Sequence, residues 1–242
     1  MKLKNRLIIS LACFTLFFTL VIVAVNLIKS GEKIERSPVI LRKTLMFNER
    51  LWSKLFPPKN LSLERPSPPK GKLPRVNGRI GLETAPDVAN YKIIVESPDK
   101  KITLPLSAIY ATAKIGYSTE FRCIEGWSED MQFAGARFSD FLDFYKLGRK
   151  SDGTYYNYVG LETPDRKYYV SIDMASMLHP QTLLAYEMNH SELRALNGAP
   201  LRLAIPIKYG YKSLKRVGKI IFSDTRPPDY WVEYGYDWYA GL

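Results

Sequence analysis

The sequence predicts an α+β domain carried behind a single N-terminal membrane helix, and three observations predict it. A long uncharged run opens the chain and a proline-rich stretch follows. Beyond that, short strand-like and helical segments mix without regular alternation, which points to α+β rather than to a doubly wound parallel sheet. With 242 residues and 46% hydrophobic content, one sizeable domain plus appendages is expected.

Residues 1–6 are a short basic tail with Lys2, Lys4 and Arg6. Leu7 to Ile28 is a run of 22 residues without a charge, long enough to cross a bilayer as a helix. It is too long for a typical signal-peptide core, and no small-x-small cleavage site follows it, so it reads as an uncleaved anchor. Cations lie on both sides of it, which nearly balances the positive-inside rule. A short-tailed N-terminal anchor favours the domain on the extracytoplasmic, periplasmic side.

Residues 29–56 are a basic juxtamembrane segment. Within it, Leu41 to Phe56 reads as an amphipathic helix with Leu41, Leu45, Trp52, Leu55 and Phe56 on one side and Arg42, Lys43, Arg50 and Lys54 facing out. Two readings stay open: a helix on the membrane surface, or one packed on the domain. Pro57-Pro58 ends it, and residues 57–74, with Pro66, Pro68, Pro69 and Pro74, make a semi-stiff extended linker.

The globular domain spans 75–242. Strand-like runs are expected at Tyr91–Glu96, Tyr168–Asp173, Leu201–Ile207 and Gly218–Ser223, and helical stretches at Leu106–Ala113, Ser139–Leu147 and Pro180–Met188. Charge separates this domain from what precedes it. Residues 1–74 hold 14 Lys/Arg against 4 Asp/Glu, whereas 75–242 hold 21 against 20. A nucleic-acid binder carries its basic face on the folded module, so nucleic acid is excluded as a partner.

Chemistry is concentrated in a few strings. Cys123, the only cysteine outside the apolar run, lies in Phe121-Arg122-Cys123-Ile124-Glu125-Gly126-Trp127-Ser128. It is either a small buried hydrophobe or a working thiolate, the form that binds metals and that the adjacent Arg122 would favour. Asn77-Gly78-Arg79 suits a turn with exposed backbone donors, and Asn197-Gly198-Ala199-Pro200-Leu201-Arg202 is a turn feeding a strand. Six cations and no acid lie between Arg202 and Lys219. Charge alone leaves two readings, a solvated loop or a site for an anion, with Gly210 and Ser213 letting backbone N–H groups approach a phosphate. Together with the thiol, the set suits a phosphorylated, metal-bearing cofactor.

Other schemes fit poorly. The two histidines, His179 and His190, lack a zinc-ligand pattern, and His179 reads as structural at a helix start. No base held by a third group supports a Cys-His protease. The aromatic tail Trp231–Tyr239 reads as packing.

From Arg75 onward the chain resembles the sulfite-oxidase-like molybdopterin-binding domains, in particular the bacterial protein-methionine-sulfoxide reductase catalytic subunits. The likeness is carried by Arg122–Ser128, Tyr158–Thr163, His179–Asn189, Asn197–Leu203 and Lys208–Lys215. It implies the sulfite-oxidase-like fold of mixed β-sheets with short helices, a molybdenum-molybdopterin cofactor, and Cys123 as the catalytic thiolate ligand of the metal, a soft donor suited to such a centre. It further implies that Thr163, Asn197 and Arg202 contact the pterin and its phosphate. Ser213, Leu214 and Lys215 would hold the phosphate end, largely through backbone donors, and Asn77 would close over the pterin.

Two departures shape the function expected. Where sulfite oxidases carry a pair of arginines after the metal cysteine, this chain has Gly126-Trp127-Ser128, which favours a neutral sulfoxide, free or protein-bound, over sulfite. The N-terminus reads Lys4-Asn5-Arg6, without the twin arginines that exported relatives tend to carry, which leaves two readings open: a degenerate export signal, or a domain facing the cytoplasm. The expectation is a membrane-anchored oxidoreductase performing two-electron oxygen-atom transfer. A membrane haem or quinone-linked protein would supply electrons, because the chain itself has no haem or iron–sulfur motif. The alternatives are sulfite oxidation and a non-enzymatic tethered binding module.

Overall fold

The computed structural model describes residues 3–34, 36–55 and 60–242; Lys2, Phe56 and the Pro57-Pro58 helix stop lie outside the described residues. Helix α1 (Leu3–Ser30) contains the uncharged run and is long and apolar enough to cross a membrane, and none of its apolar window is buried among the described residues. A two-stranded turn, β1 (Lys33–Ile34) and β2 (Ser37–Pro38), leads into helix α2 (Val39–Leu55).

Helix α2 follows neither open reading alone. It docks on the domain, but through polar groups. Arg42, expected to face out, is buried and donates to the carbonyls of Val232 and Tyr236. Those carbonyls lie at and just beyond the end of a short helix, where a cation is the natural partner. Glu49 pairs with Arg226 at 2.5 Å. Residues 60–74 are extended but not free-standing. Ser62 exchanges hydrogen bonds with Gln181, the Arg65 amide donates to Ser118 O, and the Gly71 amide donates to Asn189 O.

Two five-stranded sheets form the domain. One has the order β4-β3-β12-β7-β8, built from β3 (Lys92–Ser97), β4 (Lys100–Pro105), β7 (Tyr158–Glu162), β8 (Tyr169–Asp173) and β12 (Lys219–Ser223). All its pairs are antiparallel except β3 with β12. The other runs β10-β9-β6-β5, with β11 (Arg202–Ala204) also on β9. Its strands are β5 (Lys114–Arg122), β6 (Ser128–Arg137), β9 (Leu183–Met188) and β10 (Ser191–Glu192). Short helices α3 (Ser107–Tyr110), α4 (Phe138–Tyr145), α5 (Met174–Met177) and α6 (Tyr230–Glu233) cover edges and corners.

The helix expected over Pro180–Met188 is therefore strand β9. Its Leu183-Leu184-Ala185 run is fully buried on both faces: Leu184 enters the main core with Phe138, Phe141 and Leu203, while Leu183 and Ala185 enter a second core with Phe133 and Met188. A strand apolar on both faces loses the period-2 signature that separates it from a helix. The other expected strands and helices form, within a few residues at their ends.

Candidate cofactor and substrate cleft

Cys123 sits at the tip of the β5–β6 hairpin. Its amide donates to Trp127 O and its carbonyl accepts from the Gly126 amide, a tight loop that Gly126 completes at φ +86°. The loop turns the thiol into an open cleft, about 930 Å³ with the solvent in its mouth included, where the ends of the two sheets meet the N-terminal arm and the C-terminal segment. Asn77 Nδ2 reaches Cys123 Sγ at 3.7 Å, within the range of a hydrogen bond to sulfur. Arg122 does not accompany the thiol inward; its guanidinium is spent on Glu120, at 2.8 Å. Its placement corrects the expected cation–thiol pairing.

The six cations between Arg202 and Lys219 divide by partner. Lys208 pairs with Asp173 at 3.3 Å, Lys212 with Asp229 at 2.5 Å, and Lys219 with Glu96 at 3.3 Å. Those acids come from other strands and loops, so half of the apparent excess is neutralised within the fold. Arg216 is occupied by the carbonyls of Thr84, Ala195 and Ala199.

Arg202 and Lys215 differ from the rest, because both line the cleft and neither has a carboxylate partner among the described residues. Arg202 is buried, and its acceptors among the described residues are the carbonyls of Asn197, Leu203 and Ser213. Burial pulls it down to about 10. Lys215 donates to Asn77 O and Gly78 O, and burial, assisted by nearby Arg202, pushes it down to about 7. Beside them the buried Ser213 hydroxyl lines the cleft with no hydrogen-bond partner among the described residues.

A buried cation without a counter-charge, a half-buried one beside it and an orphaned hydroxyl are costly in isolation. An anionic group in the cleft would satisfy all three. The donor set thus fits the phosphate of a pterin cofactor, and Cys123, in the same cleft, fits as a single soft ligand to its metal. Among the described residues no group of three or more His, Cys, Asp or Glu could hold a metal.

The structure brings together Asn77, Cys123, Asn197, Arg202, Ser213 and Lys215. Thr163 and Leu214 are not among the lining residues. The Thr163 hydroxyl donates to Asp165 and accepts from the Tyr168 amide, while its methyl packs close to Gly81. Leu214 points into the core, and its amide and carbonyl are bonded to Lys212 O and the Leu203 amide. The Ser213 amide is likewise bonded, to Gly210 O.

Sequence reasoning missed Arg75, Tyr168, Trp231 and Tyr236, all of which line the cleft. Trp231 and Tyr236 belong to the aromatic tail that reads as packing, and their rings lie 4.9 Å apart in the cleft wall. The Arg75 guanidinium stacks 4.6 Å from the Trp127 ring. Trp127 Nε1 donates to Glu125, whose carboxyl is held below its ordinary range by Asn77 and Trp127. His179 bonds Asn60 O and the Gln181 amide, a structural role, but in the turn between α5 and β9 and not at the helix start expected there.

Residues 82–231 match the family of oxidoreductase molybdopterin-binding domains. A putative protein-methionine-sulfoxide reductase subunit of Azospira oryzae is 34% identical over 156 residues, covering 64% of this chain and 57% of that protein. A protein-methionine-sulfoxide reductase catalytic subunit of Campylobacter jejuni is 30% identical over 170 residues, covering 63% and 57%. The chain thus spans a little over half the length of these relatives. The sulfane dehydrogenase SoxCD of Paracoccus pantotrophus shares the fold, with a TM-score of 0.52 at 16% identity over 59% of this chain and 40% of that one.

Proposed function

The chain belongs to the molybdopterin-binding oxidoreductase family, and on that premise we propose that it reduces a sulfoxide, in free or protein-bound form, to the thioether. Overall, the sulfur–oxygen bond breaks, the sulfur gains two electrons to become the thioether, and the oxygen leaves as water with two protons. The bound molybdenum cofactor supplies the two-electron oxygen-atom chemistry. The protein's part is to hold and orient. Cys123 ligates the metal, Asn77 steadies its sulfur, and Arg202, Ser213 and Lys215 take the phosphate, with Asn197 beside them. Thr163 and Leu214 act on that site from behind, by packing.

The observation that carries the sulfoxide reading is the charge of the cleft mouth. Ile124, Trp127, Trp231 and Tyr236 form apolar and aromatic walls, and Arg75 beside them is stacked on Trp127 close to the Glu125 carboxylate. A neutral sulfoxide with apolar substituents suits such a wall, whereas sulfite would meet Glu125. Arg75 is the feature favouring the second reading, sulfite oxidation.

In this proposal the parts divide as tail 1–6, anchor 7–28, juxtamembrane segment 29–56, linker 57–74 and catalytic domain 75–242, with the domain on the periplasmic side. A membrane haem or quinone-linked protein delivers electrons. The test is elemental analysis and turnover of the full chain from a molybdenum-replete host, beside Cys123→Ala. About one molybdenum per wild-type chain, lost in the variant, with methionine sulfoxide consumed from an artificial donor, is the expected result. Metal-free folded protein would refute the enzyme reading, and oxidation of sulfite alone would refute the substrate.

A further inference from the structure

Helix α2 has two opposite faces, and its hydrogen bonds and ion pair to the domain among the described residues fall on one. Arg42 and Glu49 hold the inner face to Val232, Tyr236 and Arg226. At 3.6 residues per turn, Ile40, Phe47, Leu51 and Leu55 fall on one stripe on the far side. They are 57%, 65%, 42% and 58% exposed. Lys43, Arg50 and Lys54 run along one margin of the stripe, and Trp52, 47% exposed, lies toward the other.

We propose that this stripe lies in the headgroup–acyl boundary of the bilayer that α1 crosses, so that α2 seats the domain on the membrane surface. The inference rests on reading α1 as an anchor. Chain length supports it: eight residues separate Ser30 from Val39, an extended reach of at most about 30 Å, and the β1–β2 turn shortens it. Chemistry supports it as well, since an apolar stripe with a basic margin and a tryptophan at its edge fits an interface with anionic headgroups. A second copy of α2 fits worse. Its one acid, Glu49, is already paired with Arg226, so pairing two stripes would bring Lys43, Arg50 and Lys54 against their own like. One consequence reaches the cleft. Arg42 joins α2 to the Tyr236 carbonyl, so one wall of the cleft is built on the membrane-seated helix.

The full-length chain in nanodiscs of phosphatidylcholine and phosphatidylglycerol, brominated high on the acyl chains, tests this by tryptophan emission. Bromine should quench the wild type more than Trp52→Phe, and the double change Phe47→Asp with Leu51→Asp should cut that difference by at least about twofold. Equal quenching of wild type and Trp52→Phe in chains that have entered the discs would overturn the proposal while leaving the anchor standing. Cross-linked dimers would then name a second copy as the cover. Chains that fail to co-purify with the discs would overturn the anchor and the proposal together. None of these readouts depends on sulfoxide turnover.

Discussion

Replacing Ser213 with alanine separates what the fold needs from what the cofactor needs, because the two effects have opposite signs. In the cofactor-free protein the Ser213 hydroxyl is buried without a partner among the described residues. Such a group costs about 1–3 kcal/mol of desolvation that nothing returns. Ser213→Ala removes that cost and creates only a hydroxyl-sized space, so the cofactor-free chain should hold or gain stability, with Tm rising by about 2–4 °C per kcal/mol. In the loaded protein the same hydroxyl donates to an anionic phosphate, an interaction contributing about 1.5–3 kcal/mol. Cofactor affinity should therefore fall by about 10- to 150-fold. The assay pairs thermal melts of cofactor-free chain, from a host unable to make the pterin, with molybdenum retained by loaded chain after extended dialysis. A variant that melts lower when cofactor-free and retains metal like the wild type would refute the reasoning, since the hydroxyl would then serve the fold.

Lys215, lowered to about 7 against an ordinary 10.5, is neutral in the cofactor-free fold between about pH 7 and 10.5 while the unfolded chain stays protonated. Its contribution to stability therefore rises with pH across that window. Anion binding, which takes up the missing proton, weakens by up to about tenfold per pH unit above 7. Sulfate titrations of the cofactor-free chain should show that slope, and Lys215→Gln should flatten it. At Gly210 an added Cβ would lie 2.5 Å from the Phe121 ring, which lines the cleft next to the Cys123 loop. Gly210→Ala should cost about 1–3 kcal/mol in a denaturation curve and loosen metal retention as well. Lys212 pairs with Asp229 where both side chains are about 1% exposed. Lys212→Met should destabilise by about 3–5 kcal/mol by leaving a buried carboxylate uncompensated, yet leave cofactor affinity in surviving folded protein near wild type. A loss of affinity as large as that of Ser213→Ala would place Lys212 in the anion site instead.

The contrast between Lys212 and Arg202 also marks how far the sequence could be read. Helix α1 is decided by composition alone, since 22 residues without a charge need no tertiary information. Cys123, Arg202, Ser213 and Lys215 stand in local strings, and their chemistry is visible there. The β5–β6 hairpin that carries the thiol has no clear local signature, because β6 opens on Ser128-Glu129-Asp130 and buries its apolar residues only toward its other end. Trp231 and Tyr236 carry no local signal at all. Their place in the cleft wall depends on Arg42, about 190 residues upstream, gripping the carbonyls beside them. The basic run from Arg202 to Lys219 is the sharpest case. Six cations without an acid imply an anion only if the rest of the fold supplies none, and a sequence does not reveal which acids will return. Asp173, Asp229 and Glu96 return to three of them from 17 to 123 residues away. The charge that remains unmatched in the cleft is concentrated on Arg202 and Lys215, which also lie beside the orphaned Ser213 hydroxyl and in the cleft of the single thiol. A charge run locates a ligand, then, by the cations the fold leaves without a carboxylate rather than by its length.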